Sequence, residues 1–529
     1  MSQELDYLSR CVVTGRLSRR EFLGRATALG VSAAFASSLL DSAARAQPPV
    51  KGGLIKAGLG NGAATDSLDP ASFATSVQIT FGKCWGELLL EMSPDGGIEY
   101  RIAEAIDGSK DAKTWTMKIR KGVQFHNGKE VTPQDVVATL ERHGDKNSKS
   151  PALGILKAIE SVKSDGGDVV IALREPNVDL PYLMTDYHLI IQPNGGKDDP
   201  AAGISAGPYK VTVNQPGVRH GGEKFKGYWQ GDKLGHADQV EIIVINDPTA
   251  RMAALQDRQV HMIDQVPPKV VDLVKRVPGV TIQNISGRGY CVFNMLCDAA
   301  PFNNNDLRRA LKLAMDREEM VDKILRGYGA VGNDFPINAS YPLFPEGVEQ
   351  RAFDPDKAKF HYQKSGHSGP ILLRTSEAAF PGAIDAALLL QQSCAKAGIT
   401  LDVKREPSDG YDENNWLKQP FITESWSGRS TQDQMYSTAY LSTATWNDTH
   451  FFNDRFDKLL IEARAEFDQK KRKDLYREMA IIVWNEGGSI IPMFRQYIDA
   501  TGPGVNGFVK HPGRYMGNGY ALTQCWLEA

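Results

Sequence analysis

Cysteine is scarce in this chain, six among 529 residues, and no C-x-x-C pair occurs. A disulfide-stapled scaffold and a clustered-thiolate zinc site are thereby excluded. Five of the six (Cys84, Cys291, Cys297, Cys394, Cys525) lie beyond residue 46, widely spaced and odd in number. Buried free thiols are expected of them, with a single Cys291 to Cys297 bridge left open. H-E-x-x-H, G-x-S-x-G and G-x-x-x-x-G-K-[ST] are all missing, so the strongest signatures of zinc proteolysis, serine hydrolysis and phosphate cradling are absent. The ten histidines are scattered; His126 with His143, or His361 with His367, lacks the i, i+4 spacing of a helical metal-ligand set. No catalytic residue, metal or cofactor is expected. A net charge of −3 gives no reason to expect nucleic acid or an anionic membrane as partner.

What is present begins at the N-terminus. The run Ala26 to Leu40 is apolar but padded with Gly, Ala and Ser, and falls short of the roughly twenty residues a membrane-spanning helix needs. Ahead of it, Ser18-Arg19-Arg20-Glu21-Phe22-Leu23 resembles the twin-arginine export signal, and Ala44-Arg45-Ala46 offers a small-x-small cleavage site. Residues 1–46 are expected to be a signal peptide and the mature chain, from Gln47, to be periplasmic. Cys11 precedes the apolar run, which argues against a lipoprotein. Cleavage would remove six arginines and four acidic residues, taking the charge from −3 to −5. No second run of about eighteen apolar residues follows. The remainder is too long for one hydrophobic core, so two or three lobes are expected.

Strand and helix patterns alternate without a fixed repeat, predicting a mixed α/β protein. Trp115, Met117 and Ile119 alternate with polar residues as in a half-buried strand. Thr132, Pro133 and Asp135 read as a capped helix start. Strands are predicted at Val169 to Leu173, Tyr209 to Val213 and Val240 to Ile245, with Asp247-Pro248 opening a helix toward Asp257. Farther on, Asp306 is read as the cap of one helical segment ending at Gly327, and Pro381 to Ala397 as another helix, flanked by strands Ile371 to Thr375 and Ile399 to Lys404. A helical pair broken near Asp468 fills Asp454 to Asn485, before an apolar strand at Ile490 to Phe494. Gly58 to Gly62 is too poor a dinucleotide fingerprint, since no helix carrying a third glycine follows; it reads as a loop beside a cleft.

Gly86 to Arg142 carries a resemblance. Arg120, Lys121, Gly122, Val123, Phe125 and Gly128 match an "R-K-G-V-x-F-x-x-G" loop, and Thr132, Asp135 and Val136 a "T-x-x-D-V" helix, of the dipeptide and oligopeptide class of ABC-transporter solute-binding proteins. Ser205 to Val211, Phe293 to Val321 and the stretch from Asn453 to Phe494 are similar to further segments of that family, in the same order. The resemblance implies a two-lobed periplasmic-binding-protein fold that closes on a hinge over its ligand. Lobe I would comprise 47–288 and 495–529, with a subdomain inserted at about 80–205, and lobe II 289–494. Strands near Tyr290 to Met295 and Ile490 to Phe494 would form the hinge. The implied activity is capture of a small polar solute for an inner-membrane ABC permease and its ATPase subunits, by a monomer. Two alternatives stay open: a metal-chelate, haem or chemosensory binding protein of the same fold, and an exported cofactor- or metal-dependent enzyme.

In peptide-binding members an acidic residue after a "W-x-G" turn holds the ligand's amino group. Here Trp426, Ser427 and Gly428 supply the turn, but Arg429 stands at the acidic place. A guanidinium suits a carboxylate and repels an ammonium, which favours an anionic or amino-acid-derived compound over a typical short peptide. Asp433 is the other acidic candidate. The resemblance also nominates Asn294 at the hinge and, by position, Asn61, Gly62 and Thr65. The expected ligand contacts are therefore Arg429, Trp426, Ser427, Asn294, Asn61, Gly62 and Thr65.

Overall fold

A computed structural model describes residues 48–528 apart from 232 and 409; residues 1–46, expected from the sequence to be an export signal, lie outside the described residues. The backbone of the fold is one sheet of eleven strands that runs through the whole molecule. In spatial order it passes from Leu401–Arg405 through Ile371–Thr375 and Phe421–Trp426 to the long strands Thr281–Met295 and Ser489–Thr501. It continues through Met262–Ile263, Leu54–Leu59, Gln239–Val244 and Arg219–Lys224 to Tyr209–Gln215. Near each end the pairing is partly parallel, Leu54–Leu59 with Gln239–Val244 and Ile371–Thr375 with Leu401–Arg405. The two long central strands are antiparallel and belong to both ends. The molecule is thus a two-lobed α/β fold whose lobes share their central strands.

Each lobe has its own core. Helix Ser76–Trp85 buries Val77, Phe81, Cys84 and Trp85 against Leu54–Leu59 in the first. In the second, Asn305–Ala314 and Ala383–Lys396 cover one sheet face, and Asp454–Ala465 with Gln469–Glu486 the other. A separate four-stranded antiparallel sheet, Ala103–Gly108, Thr114–Ile119, Asp168–Leu173 and Ile159–Asp165, has a third core drawn from Leu89 to Ala206. Alternation in Thr114–Ile119 buries Trp115, Met117 and Ile119, as its period of two requires.

Local chemistry set most boundaries. Thr132 accepts from the Asp135 N–H while Asp135 reaches back, with Pro133 at the first helical position. Asp468 caps the second helix of the C-terminal pair, and Gly398, at φ 73°, follows Ala383–Lys396. One helix start is corrected. Asn304, not Asp306, is the cap, accepting from the Asp306 and Leu307 N–H groups. The expected single segment is also two helices: Met315 turns extended and Asp316 caps Arg317–Lys323 afresh. The five described cysteines are free, Cys291 and Cys297 among them. No helix of the described residues is long and apolar enough to cross a membrane.

Candidate functional site

Between the lobes the two long strands lose register. Ser286 pairs with Gln496 and Tyr290 with Phe494, so Gly287, Arg288 and Gly289 together face Arg495 alone. A side chain at Gly287 would strike the Arg495 carbonyl at 2.6 Å, and one at Gly428 would meet Arg288 Cβ at 2.2 Å. These glycines allow the strand to bulge and bend there. The Arg288 side chain, 2% exposed, turns inward from the bulge. It donates to the Ser340 carbonyl at 2.7 and 3.1 Å and to the Arg429 and Ser430 carbonyls at 3.2 and 3.0 Å. Its guanidinium also lies 4.7 Å from the Tyr341 ring centre. Arg288 thereby fixes the loop that follows strand Phe421–Trp426.

That loop forms one wall of a cavity of about 260 Å³. Ser427 and Gly428 line it from the second lobe, and Gly289, Arg495 and Tyr497 from the bent central strands. The first lobe contributes Ser76, Ile79 and Thr80, which share one face of their helix, and Asn61 and Gln265. Asn61 and Gln265 both hold left-handed backbone, at φ 61° and 52°. The Asn61 amide donates to Gln265 Oε1 at 3.0 Å, and the Gly60 N–H to Asp264 at 3.0 Å. Strained backbone held by such bonds is characteristic of ligand-contacting loops. The C-terminal segment returns to supply Arg514 and Tyr515, with Tyr515 packed on Tyr497 at 4.7 Å between ring centres. No carboxylate lines the cavity among the described residues.

The inserted subdomain closes toward the second lobe. Val178 N–H donates to the Arg464 carbonyl at 2.9 Å, and Arg472 pairs with Asp179 at 2.7 Å, the two side chains 9% and 2% exposed. Arg464 pairs in turn with Asp433 at 2.9 Å. Asp433 is therefore part of an inter-lobe charge cluster and not a ligand contact.

Of the residues singled out from sequence, the structure brings Asn61 and Ser427 together in the cavity. Gly62 lies beneath it: its N–H donates to Asn246 at 3.1 Å, and a side chain there would meet Val244 at 2.6 Å. Thr65 is exposed and does not line the cavity. Asn294 and Trp426 are buried in the second lobe's core, where both donate to the Asp448 carboxylate, at 2.7 and 2.8 Å. Trp416 adds a third N–H at 3.3 Å. Burial nonetheless pushes the Asp448 pKa up to about 6. Arg429 does not line the cavity: its guanidinium turns back to donate to the Ser427 and Gly428 carbonyls and lies 5.5 Å from the Trp426 ring centre. Sequence reasoning missed Arg495, Arg514 and Gln265. Arg495 had one available signal, as the only side chain charged at neutral pH in the strand segment Ser489 to Tyr497, otherwise largely apolar.

The pattern described as bacterial extracellular solute-binding proteins, family 5, matches residues 97–448. The chain belongs to that family. It is the extracytoplasmic solute-binding component of an ABC importer. Among curated relatives, heme-binding protein A of Haemophilus influenzae is 26% identical over 472 residues, covering 79% of this chain and 83% of the relative. The dipeptide-binding protein of Escherichia coli is 23% identical over 461 residues, covering 78% and 83%. The solved structure of HbpA2 from Haemophilus parasuis superposes with a TM-score of 0.80 at 19% identity, covering 90% of this chain and all of the other, and shares the fold of this family 5 protein. No cluster of three metal-ligating side chains occurs among the described residues.

Proposed function

We propose that this family 5 protein, exported by the twin-arginine route and cleaved before Gln47, binds a small polar solute between its lobes in the periplasm. It delivers the solute to an inner-membrane ABC permease and its ATPase subunits, and acts as a monomer without covalent chemistry. The observation that carries this reading is the cavity closed at once by the first lobe, the second lobe and the bent strands they share. A ligand there touches every part that moves on closure, so its contacts are made only in the closed form. The lobes divide at the bulge, with 47–288 and 495–529 on one side and 289–494 on the other, and the subdomain at about 80–205 inserted in the first. Asn61 and Ser427 are the sequence-predicted residues that contact the solute.

The named relatives bind haem and a dipeptide, so a short peptide and an amino-acid-derived compound both belong to the class considered. Mass spectrometry of small molecules released when the protein purified from periplasm is denatured tests the reading. One stoichiometric polar solute is expected. A tightly held metal or coloured cofactor in its place would contradict it.

A further inference from the structure

The cavity carries charge of one sign. Arg495 makes no side-chain hydrogen bond and no ion pair among the described residues, although it is half-buried in the cavity wall. Its guanidinium lies over the bulge, since a side chain at Gly289 would come within 3.4 Å of Arg495 Nη2. Arg514, also half-buried and lining the cavity, lies 4.5 Å from the Tyr187 ring centre and has no ion pair among the described residues either. The acidic groups near them are otherwise engaged. Asp186 feels the charge of Arg514 but bonds His188 at 2.6 Å. Asp499, four residues along the strand from Arg495, is fully buried and bonded to the Met516 N–H, and burial beside Asp264 holds its carboxyl well above the usual range. Two unneutralised guanidinium groups, removed in part from water, attract an anion more strongly than exposed ones do.

Resting on the reading that the cleft holds the solute, we propose that Arg495 and Arg514 form its anion subsite, and that the solute is a compact carboxylate of amino-acid size. Arg429, which occupies the family's acidic place, is committed to its own loop's carbonyls and adds only to the surrounding field. At about 260 Å³ the cavity falls just below the usual range for ligand pockets, about 300–1,000 Å³, which suits an acid of one or two residues' bulk and not an extended peptide. Asn61, Ser76 and Ser427 supply the polar groups that orient the rest of it. Because Arg495 sits opposite the bulge, the solute's charge is bound at the point where the lobes bend, and a neutral analogue loses the contact that links binding to closure.

Calorimetry on the mature protein, freed of solute by unfolding and refolding, tests this with glutarate, pyroglutamate and N-acetylglutamate, each against its amide. At least one carboxylate should bind and its amide should not. Arg495→Gln and Arg514→Gln should each weaken that carboxylate by about 30-fold or more, the loss expected for removing one partner of a desolvated charge pair. Arg495→Lys should recover part of the loss, and shows that the strand still folds if Arg495→Gln does not. Arg429→Gln should change affinity by less than about threefold. Equal binding of acid and amide, failure of every acid, or wild-type affinity in Arg495→Gln overturns the proposal. A neutral or cationic solute recovered by mass spectrometry would overturn the anion subsite and leave solute capture standing, whereas recovery of no solute would count against capture itself.

Discussion

At the scale of single residues, buried polar groups do the positioning and leave testable marks. Arg288 is a buried cation whose side-chain hydrogen bonds go only to carbonyls and, at 3.5 Å, to the Met92 sulfur. Arg288→Met strips the Ser340, Arg429 and Ser430 carbonyls of their donor, and should cost about 2–4 kcal/mol of stability, measured by denaturant unfolding. Glu424 is the clearest pH reporter. It is 8% exposed, one carboxyl oxygen has no partner, and burial, with Asp412 beside it, pushes its pKa up to about 8. A folded-state pKa above the unfolded one means the protonated form is favoured by folding. The stability this confers is complete below the unfolded carboxylate range and is lost as pH rises through about 8. Wild type should therefore lose Tm between pH 5 and 9 relative to Glu424→Gln. Parallel Tm profiles for the two proteins would remove Glu424 from this role.

At the scale of elements, the readable parts were those with local chemistry. The Thr132-Pro133-Asp135 start, the alternation around Trp115 and the helix break at Asp468 each encode their structure within a few residues, and the structure has them where the pattern put them. Asp306 misled because Asn304, two residues earlier, makes the better acceptor for the first free N–H groups. The strand at Ile490 to Phe494 extends to Thr501, because its second half pairs with Thr281 to Ser286 in the first lobe, and no local signal reports a partner two hundred residues away. For the same reason the site was only half legible. Asn61 and Ser427 lie in loops that the resemblance aligns, whereas Arg495 gains its meaning from two strands meeting out of register and Arg514 from the return of the C-terminal segment to the cavity. Trp426 and Asn294, which read as cleft residues, are drawn into the core by the Asp448 carboxylate. The bulge gives its own test. Gly287→Ala places a methyl against the Arg495 backbone, and should cost about 1–3 kcal/mol while weakening solute binding, as a joint measurement of Tm and affinity would show.

At the scale of the whole molecule, two lobes meet over a charged cavity and are joined across their far edge. Asp179 of the inserted subdomain meets Arg472 of the second lobe in a nearly dry contact. When the lobes open, both charges return to water, so the pair biases closure with little effect on the folding of either lobe. Asp179→Asn should leave Tm of the solute-free protein nearly unchanged and weaken solute binding by about tenfold. The central claim, capture by closure between the lobes, is met most directly by small-angle X-ray scattering of the mature protein, first stripped of solute and then given back the solute recovered from it. The radius of gyration should fall on addition, recover on dialysis and fall less in Arg495→Gln. An unchanged scattering curve at saturating solute would contradict that claim.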